Sequence, residues 1–133
     1  MSITLTEQDK LTLRTAAYGA ITLLAAADPA GRPHKIATAG TIALGSATGL
    51  VGHVLATPLS GKELTGKSTA EIADRVLPAL TASVRLLHER SPAEAGDFRR
   101  TVLVALEAAQ AHQGETKPVT AEMIRKITEA LNP

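Results

Sequence analysis

One stretch of the chain has the spacing of a phosphate cradle. Residues 61 to 68 read GKELTGKS, which fits the pattern G-x-x-x-x-G-K-[ST]. In that reading Gly61 and Gly66 let the backbone approach the anion, Lys67 reaches the terminal phosphates and Ser68 holds magnesium. The surroundings oppose it. Such a loop works when a buried strand feeds it, and here HVLATPLS is a short apolar run interrupted by Pro58. Glu63 would put a carboxylate inside the anion cradle. The stretch that should end in a metal-binding acid, TVLVALE, ends in Glu107 within a segment that starts like a helix. The expectation is an exposed loop running into a capped helix, with nucleotide binding through Gly61, Gly66, Lys67 and Ser68 as an alternative.

Other reactive residue types are scattered. The chain has no cysteine, which removes disulfides and thiol chemistry. The histidines are His34, His53, His88 and His112; no pair has the i, i+4 spacing of a metal-binding helix. His53, in an apolar segment, is expected to be a satisfied core histidine, and His88 and His112 to lie near helix C-termini. No G-x-S-x-G elbow is present. Arg99 and Arg100 could clamp an anion with Arg90, although a solvated helix face is the plainer reading. No catalytic residue, metal ligand or cofactor is assigned.

Charge narrows the partners. Fourteen basic residues face thirteen acidic ones, and no basic stripe is visible for phosphate neutralisation. Tyr18 and Phe98 are the only aromatic residues, too few for bases to stack on. Nucleic acid is therefore not expected. Residues 36 to 61 form a run of 26 without a charge, and the stretch 36 to 56 is about as long as a membrane span. It is rich in Ala, Gly, Thr and Ser, so a buried helix is expected instead of insertion. The start, MSITLTEQDK, is polar and acidic, unlike a secretory leader, and a cytoplasmic location is expected.

These residues must be positioned by helices. At 133 residues the chain suits a single domain spanning 1–133, and its core must be aliphatic and Ala-rich. The first helix is expected from a cap at Thr4 or Thr6 to about Ala27, with Leu13, Ala17, Ala20 and Leu24 on one face and Tyr18, Ile21 and Leu23 on others. Asp28-Pro29-Ala30-Gly31 reads as a type I turn. A second segment covers Pro33 to Ala56, as one helix or as two broken near Gly45 or Gly49. Its small residues Thr41, Gly45, Gly49, Gly52 and Ala56 form a stripe, predicted to pack against a matching patch around Gly19.

The third helix opens with the capping box Ser68-Thr69-Ala70-Glu71, buries Ile72, Val76, Leu80, Val84 and Leu87, and continues past Pro78 with a kink. The fourth opens on Ser91, Pro92 and Glu94, buries Phe98, Val102, Ala105, Leu106 and Ala109, and ends at Gly114. The fifth takes Thr120 as cap, with Val119 and Ile124 spaced for a hydrophobic staple. Ile124, Ile127 and Leu131 are expected to face inward. The fold expected is all-α: a compact bundle of about five helices, the first two close-packed through small residues.

Three stretches, LRTAAYGAITLLAAADP, VLPALTASVRLL and DFRRTVLVALEAA, together resemble a family of short, Ala-rich, all-helical bacterial proteins without an assigned function. The resemblance spans most of residues 6 to 131 and implies a helical fold and no activity. The functional expectation is a non-catalytic module that binds a protein partner or forms a homo-oligomer. A small-molecule carrier or sensor with an apolar pocket is the second reading.

Overall fold

In the computed structural model, residues 4–27, 33–57, 68–111 and 118–133 are described, apart from the side chains of Pro33 and His34. They form six helices and no strand: α1 Glu7–Ala27, α2 Pro33–Gly45, α3 Gly49–Leu55, α4 Thr69–Arg90, α5 Pro92–Gln110 and α6 Pro118–Leu131. The all-α expectation holds, with six helices where about five were expected. The extra one comes from the second segment, which breaks at residues 46–48. The predicted turn at 28–31, the loop at 58–67 and the stop at Gly114 lie outside the described residues.

The bundle is organised around α1, which touches every other helix. Composition explains why. Leu13, Ala16, Ala17, Tyr18, Ala20, Ile21, Leu23 and Leu24 are all buried and point in several directions, so α1 needs neighbours on most sides. Its start is a reciprocal cap. Thr6 Oγ1 accepts from the Asp9 amide at 3.0 Å, and the Thr6 amide donates to Asp9 Oδ2 at 3.0 Å. Thr6, not Thr4, is the cap. Arg90, at the far end of α4, donates to the Thr4 carbonyl and pairs with Asp9 at 3.6 Å, tying the entry of α1 to α4.

The amphipathic faces of α4 and α5 are as the spacing predicts: every residue expected to be buried is buried. Ser68 caps α4, its hydroxyl accepting from the Glu71 amide at 3.2 Å. The helix runs through Pro78. Pro78 and Asp74 are both exposed, so the carbonyl deprived of its partner is on the wet side. The accessible surface, 7038 Å², is near the ~6,600 Å² typical of a folded chain of 13.8 kDa.

Three local expectations need correction. Ser91 caps α5 without a side-chain bond, because this one residue ends α4 and starts α5, and its amide donates to the Leu87 carbonyl instead. The reciprocal half of the predicted box is therefore missing, and Glu94 Oε2 is buried without a partner among the described residues. At α6 the helix starts at Pro118, a proline-favoured first position, which puts Thr120 inside the helix. Thr120 is buried and its hydroxyl has no partner among the described residues. Val119 is 61% exposed, so it forms no staple.

Candidate functional site

The small-residue stripe faces the wrong way for the role predicted for it. Thr41, Gly45, Gly49 and Ala56 are exposed, and only Gly52 is buried. Among the described residues nothing lies within 4 Å of where a Cβ would stand at Gly45 or Gly49. Helices α1 and α2 do pack closely, but through Gly40, where a Cβ would lie 2.6 Å from Ile21 Cγ2. Gly19 sits against Val76 of α4 rather than against α2. The physical reason is the break. Ser46 and Ala47 donate back to Ala43 and Leu44 at 3.2 and 3.3 Å, closing α2 with short turns. Gly49 then takes φ +72°, a left-handed value that favours glycine. The chain re-aims there, so Gly45 and Gly52 do not share a helix face.

The outer surface of α2 is thus uncharged from Thr38 through Ser46, with Thr41, Ile42 and Gly45 between them, all exposed. Ile42 is 66% exposed, and Val104 on α5 is 50% exposed. Between the end of α2 and α5 lies an open groove of about 270 Å³, lined by Ala43, Ser46, Ala47, Thr48, Asp97, Arg100, Thr101 and Val104. Asp97 and Arg100 pair along its α5 wall at 3.0 Å, one turn apart. Thr101 turns its hydroxyl back to the Asp97 carbonyl at 2.7 Å, and Ser46 does the same to Ile42 at 3.0 Å. With the Ser46 and Thr101 hydroxyls donating to backbone, the groove presents methyls, backbone, the Thr48 side chain and one ion pair.

Helix α1 holds the C-terminal end of α3. Arg14 Nε donates to the Val54 carbonyl at 3.0 Å, and Tyr18 donates to the Leu55 carbonyl. Both bonds satisfy carbonyls at the C-terminus of α3 that have no helical partner. Burial pushes the Tyr18 hydroxyl above its ordinary pKa, partly offset by the Arg14 charge.

The residues singled out for chemistry are dispersed. Gly61, Gly66 and Lys67 lie outside the described residues, and Ser68 is a helix cap. What leads toward that segment is helix α3, not a strand, and TVLVALE lies within α5. His53 is exposed rather than a core histidine, and His88 is exposed near the end of α4. His112 and the His34 side chain lie outside the described residues. Among the described residues no group of three or more His, Asp or Glu is placed to hold a metal, and no helix is long and apolar enough to cross a membrane. Arg90, Arg99 and Arg100 do not converge. Arg90 holds Thr4 and Asp9, Arg100 holds Asp97, and Arg99 Nε caps the Leu131 carbonyl of α6 at 2.8 Å.

Sequence reasoning missed the Ile42–Val104 surface, because both residues fit the apolar patterns of their helices. Compared with protein-family models, curated proteins and solved structures, the chain gave no match.

Proposed function

We propose that the chain is a non-catalytic helical interaction module whose docking face is the α2–α5 surface and whose occupant is a second copy of itself. The observation that carries this reading is the pair of exposed aliphatic side chains, Ile42 and Val104, beside an uncharged helix surface. Isolated exposed apolar residues are ordinary, whereas a patch joined by small uncharged residues favours contact. Glycine at 45 and 49 leaves room for another helix to approach closely, since interaxial distance is set by the side chains at the crossing.

Two-fold self-pairing suits the charges. An isologous interface brings the same patch together twice, and the α2 surface from Thr38 through Ser46 carries no charge to repel its copy. Asp97 and Arg100 offer both signs, so each could meet its opposite across the axis. A standard interface covers about 800 Å² per partner, roughly a tenth of this chain's 7038 Å². That requires the exposed side of α2 and α5 together, not the two aliphatic residues alone.

Sedimentation velocity across a wide concentration range tests the proposal. The expected result is a concentration-dependent dimer that Ile42→Lys or Val104→Lys shifts to monomer with the circular dichroism spectrum unchanged. A monomer at every concentration, or a dimer indifferent to both substitutions, would refute it.

A further inference from the structure

A second cleft lies away from the α2–α5 groove, where the last turns of α4 meet α5 and the end of α6. It has a volume of about 340 Å³ and is lined by Val84, Arg85, His88, Glu89, Arg99 and Pro133. We infer that this cleft is a binding site for a phosphate-type oxyanion carried on a small molecule, held by Arg85, Arg99 and His88.

Three observations converge. Arg85 and His88 stand one helical turn apart and so project from the same side of α4. Arg85 makes no hydrogen bond or ion pair with any described residue, though Glu89 is one turn away on the same wall. A guanidinium has five donors in a fixed fork, and Arg99 commits its Nε to Leu131. That bond anchors the group, while its terminal nitrogens bond to no other described residue. A guanidinium fixed through one nitrogen loses less freedom on binding an anion than a free one.

The helix ends beside the cleft would ordinarily repel an anion. Several of their carbonyls are already occupied: Leu87 by the Ser91 amide, Ala130 by Thr81 at 2.9 Å and Leu131 by Arg99. Among the side chains that line the cleft, Arg85 and Arg99 carry more formal charge than Glu89. Donors on two helices suit a tetrahedral dianion, which accepts on several sides, better than a planar monoanion. The anion clamp pictured for Arg90, Arg99 and Arg100 thus has a different membership, with Arg99 the shared residue.

The test is amide NMR of the full chain titrated with glycerol phosphate, inorganic phosphate and acetate, each against sodium chloride of matched ionic strength. Saturable shifts confined to residues 84–89, 98–100 and 131–132 are expected with both phosphates, and weaker ones with acetate. Tighter binding of glycerol phosphate assigns an ester ligand, and equal binding of the two phosphates assigns the phosphate group alone. Arg85→Gln should weaken binding about tenfold, as loss of one charge-assisted hydrogen bond does, and Glu89→Gln should strengthen it severalfold. Both side chains are exposed, so neither change should lower the melting temperature. Shifts that track ionic strength alone, acetate binding as tight as phosphate, or an affinity unchanged by both substitutions would overturn the inference.

Discussion

The contact between Gly19 and Val76 can be tested by a double-mutant cycle. A Cβ at Gly19 would overlap Val76 Cγ2 and stand 3.3 Å from Cγ1, but 3.4 Å from Val76 Cβ. Val76 is fully buried and β-branched, with little freedom to rotate away. Gly19→Ala alone should cost about 1–3 kcal/mol in overpacking, offset by ~1 kcal/mol of helix propensity. Val76→Ala removes two methyl groups, about 1.6 kcal/mol of transfer free energy, and the cavity raises this to roughly 2–3 kcal/mol. In the double variant the new methyl meets only the Cβ of residue 76, at an ordinary contact distance. The overlap disappears, the propensity gain remains, and part of the cavity is filled. The double variant should therefore be more stable than the sum of the singles by about 2 kcal/mol. Urea unfolding followed by circular dichroism measures this, provided the slopes agree across all four proteins. A coupling within about 0.5 kcal/mol of zero would show that α1 and α4 do not meet at these residues.

Glycines elsewhere should respond with opposite signs. Gly96, inside α5, has nothing within 4 Å of a Cβ, so Gly96→Ala should raise stability by about 0.5–1 kcal/mol. Gly49 is equally open but has φ +72°, so Gly49→Ala should lower stability by about 1–2 kcal/mol, measured by the same unfolding assay. Tyr18 is the only tyrosine, so tyrosinate absorbance reports it alone, and its pKa should lie above the ordinary 10.0 because of burial. A raised folded-state pKa gives stability that is present below pH 10.0 and lost as pH rises through the folded value. Tyr18→Phe should cost about 1 kcal/mol at neutral pH and make the alkaline fall shallower than in the parent, as urea midpoints across pH would show. At the exposed Glu122, the Arg125 hydrogen bond lowers the carboxyl pKa; Arg125→Gln should return its NMR titration midpoint toward the ordinary range.

What was legible in the sequence was the inward face of α4 and of α5. Ile72, Val76, Leu80, Val84 and Leu87 repeat at three- and four-residue steps, which places them on one face of a helix. The direction of the small residues was not legible. Glycine permits close helix contact, as Gly40 does against Ile21, and it also permits a left-handed break, as Gly49 does. A count of glycines at three- and four-residue steps cannot separate the two, because the break itself destroys the face being counted. The α6 start was misread for a related reason. Thr120 is a good cap by type, but Pro118 satisfies the first helical position without any cap. The cleft partners had a signal that helix spacing alone does not show. Arg85 lies six residues before Ser91 and Arg99 eight after it, and a one-residue link brings such positions near each other.

That link also relates the two candidate surfaces. With Ser91 shared between α4 and α5, the rotation of α5 about its axis is tied to the end of α4, and each surface depends on it. At 3.6 residues per turn, Arg99 lies roughly 140–160° around α5 from Asp97, Thr101 and Val104. The oxyanion cleft and the docking face therefore occupy nearly opposite flanks of one helix, separated by its buried stripe. A copy seated on Ile42 and Val104 would leave Arg85 and Arg99 open, and a phosphate at Arg99 would touch nothing on the docking face. Coupling between two sites requires an element with two arrangements that both sites bias, and the structure shows α5 in one, anchored at Ser91. The dimer dissociation constant from sedimentation should thus be the same in glycerol phosphate as in sodium chloride of equal ionic strength. A several-fold change that persists in Arg100→Gln but vanishes in Arg85→Gln would show that α5 does move, and that the two flanks are parts of one switch.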